Sequence, residues 1–193
     1  MMTKLVSWSA LFILASVVNL YAAAPKLALL VKAPDNAFYD SIISGAKEVA
    51  AELGFELKAF HGKNEDDWKF QVEFLKKNAG EYRGFILVPT RSDVFEVPLK
   101  ELSEKGKPVV IVDTPLSSGN EYVLSTINSD NRVGGALAGT FMANQLTVEP
   151  SDENCVVLFS GNPKARTHQE RNEGFVSALK ATHKNMKVHK YVA

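Results

Sequence analysis

Residues 26–54, with the sequence KLALLVKAPDNAFYDSIISGAKEVAAELG, carry the clearest pattern from which the fold can be predicted. It opens with the apolar run Lys26 to Val31, which is typical of a strand buried on both faces of a parallel sheet. From Phe38 to Leu53, apolar residues recur at spacings of three and four positions, which predicts an amphipathic helix. Gly54 suits the C-terminal cap of that helix. A buried strand that leads into such a helix predicts the first half of a βαβ unit.

The same alternation of strand and helix continues along the chain. Further strands are predicted at 55–60, 85–88, 108–112, 122–127, 154–159 and 186–192, and further helices at 66–78, 95–105, 133–146 and 167–180. This order predicts an α/β fold, with parallel sheets, right-handed crossovers and helices on both sheet faces. Because the count of elements restarts near residues 128–131, we expect an N-terminal lobe of residues 25–130 and a partial C-terminal lobe of residues 131–193.

The composition is that of an ordinary globular protein. The chain has 193 residues, 22 basic and 22 acidic side chains, and one cysteine. Zero net charge argues against a protein that binds nucleic acid by bulk electrostatics. A single cysteine excludes a disulfide framework and a cysteine-rich zinc module. Cys155 opens the apolar run 155–159, so we expect it to be a buried thiol.

The first 24 residues have the pattern of a secretory signal peptide. Lys4 is their only charge, residues 5–20 are largely apolar, and small residues follow at Ala22, Ala23 and Ala24. We therefore expect export with cleavage after Ala22. The alternative is a retained membrane anchor, although the apolar run is shorter than the roughly 20 residues that a spanning helix needs.

Polar and aromatic side chains follow the predicted strands where each strand ends. In open parallel sheets, ligands bind beyond these carboxyl ends. The candidate residues in the loops, or just inside the helices that follow them, are Asn36, Phe38, Tyr39, Asp113 and Arg171. Planar amide, carboxylate and guanidinium groups pair with vicinal hydroxyls, and an aromatic ring covers the apolar face of a sugar. This inventory predicts a site for a neutral polyhydroxyl ligand.

Each candidate also has a purely structural explanation. Asn36 could only cap the first helix, and Phe38 could be core because it lies on the apolar stripe, whereas Tyr39 lies off that stripe. Asp113 could cap a turn, and Arg171 could make only a surface salt bridge with Glu170 or Glu173. All five candidates lie at or just beyond the ends of predicted strands, and this shared location favours a binding site.

The sequence has no signature of an enzyme or a cofactor. Neither a G-x-G-x-x-G motif nor a Walker A motif is present, and Ser160 is not in a nucleophile elbow. The four histidines have no metal-ligand spacing. We therefore expect no catalysis, no cofactor and no metal. Among the histidines, only His168 lies near the expected cleft, where it could contact a ligand.

Four stretches, in order, resemble the type I periplasmic sugar-binding proteins, the ribose-binding proteins among them. They are DNAFY at 35–39, VIVD at 110–113, SDNRVGG at 129–135 and ERNEGF at 170–175, and the resemblance extends over residues 26–193. It implies two Rossmann-like lobes and a periplasmic protein that captures a small ligand, expected to be a sugar, between them. It also implies a monomer that delivers this ligand to an inner-membrane ABC permease or to a sensor kinase or chemoreceptor.

The resemblance assigns roles to the candidate residues. It implies that Asn36 bonds to ligand hydroxyls, that Phe38 and Tyr39 stack on the sugar ring, that Asp113 accepts hydroxyl hydrogen bonds and that Arg171 donates them. Two positions depart from the family, because Ala37 replaces the usual proline and Thr114 replaces the arginine of ribose binders. These departures leave the identity of the sugar open.

The length of the chain leaves alternatives open. Family members complete a second lobe and return to the first, so the resemblance implies that this 193-residue chain is truncated at its C-terminus. A truncated relic that binds nothing is one alternative. Another is the effector domain of a lactose-repressor type regulator. Such a regulator needs an N-terminal helix-turn-helix, where this chain has an apolar leader.

Overall fold

A computed structural model describes residues 23–147 and 155–192. The strands are β1 Lys26–Val31, β2 Glu56–His61, β3 Gly84–Leu87, β4 Val109–Val112, β5 Ser125–Ile127, β6 Cys155–Ser160 and β7 Lys187–Val192. The helices are α1 Ala37–Glu52, α2 Trp68–Asn78, α3 Glu96–Glu104, α4 Asn131–Gln145 and α5 Arg166–Thr182. Apart from its last two residues, the expected signal peptide lies outside the described residues. In the described ranges, no helix combines the length and the apolar character that crossing a membrane requires.

Two parallel sheets organise the described residues. The larger has the strand order β2-β1-β3-β4-β5, and the smaller pairs β6 with β7. Leu29 at the centre of β1 lies opposite Ala59 of β2 on one side and Ile86 of β3 on the other. The predicted α/β class with parallel sheets is confirmed, since every strand pair is parallel.

Successive residues of β1 enter two different cores. Ala28 and Leu30 lie in a core that also contains buried residues of α2 and α3. Leu29 and Val31 lie in a second core, with residues of α1. All four side chains are at most 1% exposed, and burying a leucine contributes about 1.5–3 kcal/mol. Helices therefore cover both faces of the larger sheet, as the continuous apolar run predicts.

Helices α1, α2 and α4 begin at side chains that accept a hydrogen bond from the backbone. Asn36 Oδ1 accepts from the N–H of Phe38 at 3.0 Å, so Asn36 is the N-cap of α1. Asp67 and Asp130 cap α2 and α4 in the same way. Such caps stabilise a helix by about 0.5–2 kcal/mol, and each fixes where its helix leaves the preceding loop.

Glycines allow α4 and α5 to pack against each other at close range. A Cβ atom at Gly135 would overlap the carbonyl oxygen of Arg171, and one at Gly174 would overlap that of Arg132. Below this helix pair, a small core contains Val156, Leu179 and neighbouring residues. The close contact fixes the position of α5, which carries Arg171.

Two expectations from the sequence are wrong. Cys155 is exposed rather than buried, because it shares the open face of the two-stranded sheet with Val157 and Phe159, which are 46% and 76% exposed. An apolar run does not reveal that only one face of its strand is covered. The predicted strand at 122–127 is also shorter, because Tyr122 ends a short 3₁₀ turn and β5 begins at Ser125.

Candidate functional site

The carboxyl ends of β1, β3 and β4 and the start of α5 enclose a cavity of about 430 Å³. Five residues that the sequence analysis chose from three separate segments all line it: Asn36, Phe38, Tyr39, Asp113 and Arg171. Parallel strands place their carboxyl ends at one edge of the sheet, which brings together the residues that follow β1 and β4. Arg171 follows β6, which belongs to the second sheet. The predicted loops after β3 and β6 also reach the cavity, through Thr90 and Asn162.

The start of α1 contributes one aromatic side chain that is open to the cavity and one that is buried. Phe38 is 52% exposed, so the alternative that it belongs to the core is wrong. Tyr39 is only 5% exposed and packs in the core beside β1. The two ring centroids are 5.5 Å apart, with an angle of 64° between the ring planes. The sequence placed Phe38 on the apolar stripe of α1 and Tyr39 off it, but the order of burial is the reverse. The stripe does not determine burial here, because the first turn of α1 lies at the edge of the cavity.

The hydroxyl of Tyr39 is anchored on a carboxylate. It lies 2.8 and 2.9 Å from the two oxygens of Glu65, to which it donates. Burial, with the negative charge and hydrogen bond of Glu65 adding to it, raises the pKa of Tyr39 well above its usual range. Tyr39 therefore stays protonated and fixes Glu65 at the cavity wall.

A buried ion pair forms the floor of the cavity. Lys32, which directly follows β1, is 5% exposed, and its Nζ lies 3.0 Å from Oδ2 of Asp113. The hydroxyl of Thr114 donates to the same oxygen at 2.9 Å. Asp113 also has a left-handed backbone, with φ of 69°, which is uncommon outside glycine. Its carboxylate is thus held through Oδ2, and Oδ1 takes no hydrogen bond from the described residues.

Sequence reasoning missed Lys32. The available signal was a charged side chain at the carboxyl end of a strand that is otherwise buried, since a lysine is almost never buried without a partner. That partner is 81 positions away in the sequence, so the pattern around Lys32 did not reveal it.

Arg171 enters the cavity from the second turn of α5. Its Nε donates to Oδ1 of Asn131 at 2.8 Å, and Asn131 is 3% exposed. The alternative of a surface salt bridge with its neighbours is wrong, because Glu170 and Glu173 pair with other arginines. Asn131, the first residue of α4, therefore orients Arg171 and does not itself line the cavity.

His168 lies one turn before Arg171 and also lines the cavity. Burial lowers the pKa of His168, and the positive charge of Lys32 and, less strongly, that of Arg171 lower it further. A hydrogen bond with the Gly161 backbone and the negative charge of Asp113 oppose this shift in part. The imidazole is therefore neutral at neutral pH and can donate from one nitrogen and accept at the other.

Hydrogen bonds join the loops that close the cavity from its two sides. Asn162, after β6, donates to Oδ1 of Asp66 at 2.6 Å and to the carbonyl of Thr90 at 3.3 Å. Ser92, after β3, donates its N–H to the carbonyl of Lys164 at 2.9 Å. In the described part of the chain, no cluster of three or more histidine, cysteine or acidic side chains could hold a metal ion.

Comparisons with known proteins agree with this architecture. Residues 27–193 match the family described as periplasmic binding protein domain. The chain is 31% identical over 182 residues to the ribose import binding protein of Haemophilus influenzae, covering 93% of this chain and 60% of that relative. It is 23% identical to the D-allose-binding periplasmic protein of Escherichia coli, covering 82% of this chain and 52% of that relative.

Solved structures show the same fold. An ABC transporter solute binding protein from Burkholderia multivorans is 26% identical, with a TM-score of 0.76, over 89% of this chain and 61% of that one. A carbohydrate transporter solute binding protein from Agrobacterium radiobacter, solved with D-arabinose, is 22% identical, with a TM-score of 0.77, over 89% of this chain and 58% of that one.

The chain thus spans between about half and three-fifths of the length of these relatives. The relatives are named as binding proteins of the periplasm and of import systems, which agrees with the expectation that this chain is not an enzyme. With a family match over residues 27–193, the chain belongs to the type I periplasmic sugar-binding proteins.

Proposed function

We propose that this chain is an exported solute-binding protein that captures a sugar between an N-terminal lobe, residues 25–130, and a C-terminal lobe, residues 131–193. The observation that carries the proposal is the convergence of five side chains, chosen from the sequence alone, on one cavity of about 430 Å³. That volume lies within the range of small-molecule sites.

The cavity offers groups that complement a sugar on several sides. Phe38 presents an open ring to the apolar face of the sugar, and Tyr39 adds the edge of a second ring. The amide nitrogen of Asn36 donates to a ligand hydroxyl, because its oxygen is already engaged by the helix. Oδ1 of Asp113 accepts from a hydroxyl, and the terminal nitrogens of Arg171 donate, since only Nε is held by Asn131. Donors and acceptors from both lobes therefore meet one ligand.

The bound sugar is passed on to a membrane partner. Residues 1–24 direct export to the periplasm, with cleavage after Ala22, and the chain acts there as a monomer. The partner is the permease of an ABC importer, which the import role in the names of the ribose-binding relatives supports, or else a sensor kinase or chemoreceptor. Adjacent permease and ATPase genes would favour import, and an adjacent sensor kinase gene would favour signalling.

Thermal denaturation of the purified chain in the presence of sugars tests the proposal. The panel contains D-ribose, D-allose and D-arabinose, with glycine as a small polar solute that lacks the vicinal hydroxyls. A sugar at 100 times its Kd stabilises the folded state by about 2.7 kcal/mol, which raises the Tm of a chain of this size by roughly 5–11 °C. If no sugar at millimolar concentration changes the Tm, the chain is a relic that does not bind, and the proposal is wrong.

A further inference from the structure

Two buried threonines in the cavity have hydroxyl groups without a hydrogen-bond partner. Thr90, after β3, is 1% exposed, and Thr167, in the first turn of α5, is 2% exposed. Among the buried side-chain polar atoms of the residues that the structure describes, Oγ1 of these two threonines alone makes no hydrogen bond. Both residues line the same cavity of about 430 Å³.

The backbone around each threonine is held firmly. The N–H of Thr90 donates to Oε1 of Gln71 at 3.0 Å, and its carbonyl accepts from Asn162 at 3.3 Å. Gln71 is itself 0% exposed and donates to the carbonyl of Val88 at 2.9 Å. These contacts fix Thr90 at the end of β3, so its hydroxyl cannot move out to bulk water.

Thr167 is fixed in a comparable way from the other lobe. Ala165, at the N-cap of α5, makes no side-chain cap hydrogen bond. The hydroxyl of Ser92 instead accepts from the N–H of Arg166 at 3.0 Å and ties the helix start to the first lobe. The Thr167 hydroxyl takes no part in this capping, and Thr167 lines the cavity.

Burial without a partner is expensive, and native proteins contain few such groups. Two of them at one cavity, one from each lobe, indicate that something in the cavity completes their hydrogen bonds. A hydroxyl group both donates and accepts, and so does each hydroxyl of a sugar. The match is therefore between two threonines and two ligand hydroxyls.

Building on the proposed function, we infer that Thr90 and Thr167 bind hydroxyl groups of the sugar and determine which sugars the cavity accepts. A sugar without a hydroxyl at either position leaves the corresponding threonine unpaired, and sites built to bond a hydroxyl reject such analogues strongly. The cavity thus selects against deoxy sugars through one threonine on each lobe.

Replacement by valine tests this, because valine keeps the shape of threonine but removes the hydroxyl. In Thr90→Val and Thr167→Val, we expect the Tm of the ligand-free protein to rise, since an unpaired buried polar group is gone. We expect the affinity for the bound sugar to fall by about three- to tenfold in each variant. If a threonine had a purely structural role, its replacement by valine would not raise the ligand-free Tm while it lowered the affinity for the sugar.

Two matched variants complete the experiment. Thr114 is 0% exposed, and its hydroxyl donates to Asp113, so Thr114→Val should lower the Tm of the ligand-free protein. Thr90→Ser and Thr167→Ser keep a hydroxyl and should bind the sugar more tightly than the valine variants do. The probes are D-ribose and D-allose, measured by calorimetric titration and thermal denaturation.

The outcomes distinguish failure of sugar binding from failure of the role assigned to Thr90 and Thr167. If the wild type binds neither probe, the proposed function fails and takes this inference with it. If the wild type binds a probe and both valine variants bind it with unchanged affinity, the inference alone is wrong. A lower ligand-free Tm in the valine variants would also overturn it, because it would reveal a partner within the protein.

Discussion

Replacement of Lys32 by methionine removes the cation from the floor of the cavity while keeping most of its apolar stem. The Lys32 side chain is 6% exposed and that of Asp113 is 16% exposed, and the two charges are joined at 3.0 Å. Breaking a buried ion pair from one side costs about 3–5 kcal/mol. Because Asp113 retains some contact with solvent and the hydrogen bond from Thr114, we expect the lower end of that range, about 3 kcal/mol.

The effect is large enough to measure by urea and thermal denaturation. A loss of about 3 kcal/mol lowers the Tm of a chain of this size by roughly 6–12 °C. Lys77 provides the matched control, because its Nζ lies 2.9 Å from Glu73 in a pair whose side chains are 73% and 63% exposed. Lys77→Met should therefore cost less than about 1 kcal/mol.

A double variant separates the ion pair from the packing of Lys32. With Asp113→Asn in the background, Lys32→Met no longer leaves a buried carboxylate without its cation, so the two losses should not add. We expect a coupling energy of about 1–3 kcal/mol. Two results would show that water screens the Lys32–Asp113 pair and that it does not stabilise the fold as proposed. One is a loss of stability in Lys32→Met that is no larger than in Lys77→Met, and the other is strictly additive losses of stability in the double variant.

Three further predictions concern the second lobe. Arg171→Ala should weaken sugar binding by about 2 kcal/mol or more, because a charged hydrogen bond to the ligand is lost, and unchanged affinity by calorimetry would refute its role. Gly135→Ala should destabilise the fold by about 1–3 kcal/mol through overpacking of α4 on α5, whereas Gly134→Ala, with open space around its Cβ, should not; equal urea midpoints for the two variants would contradict the close contact. His168 has a lowered pKa in the folded state, so the unfolded chain binds its proton first, and stability should fall as the pH drops below about 6.5. In the variant His168→Gln, the loss of stability at low pH should be smaller. If the Tm of this variant depends on pH in the same way as that of the wild type, His168 does not cause the loss.

Much of the architecture follows from local sequence. The apolar run of β1 has the bounds Lys26–Val31 in both the prediction and the structure, because a strand covered on both faces needs apolar side chains at every position. The clustering of Asn36 and Asp113 also follows from local sequence, since parallel strands of one sheet bring their carboxyl ends together. Neither inference requires knowledge of which residues touch across the fold, whereas the approach of Arg171 depends on contacts between the two lobes.

The features that sequence reasoning missed depend on contacts between distant residues. The burial of Lys32 depends on Asp113, and the exposure of Cys155 depends on which face of β6 is covered. Thr90 and Thr167 are ordinary polar residues until two lobes enclose them and leave their hydroxyls unpaired. Such facts belong to the tertiary structure, because neither periodicity nor composition records the partner of a side chain.

A crystal structure of the chain with the panel sugar that raises its Tm most would show whether the sugar binds in this cavity. The account predicts sugar density in the cavity at the ends of β1, β3 and β4, with Oδ1 of Asp113 and the guanidinium of Arg171 within hydrogen-bonding distance of ligand hydroxyls. Density for the sugar at another place on the protein, with this cavity holding only solvent, would contradict it.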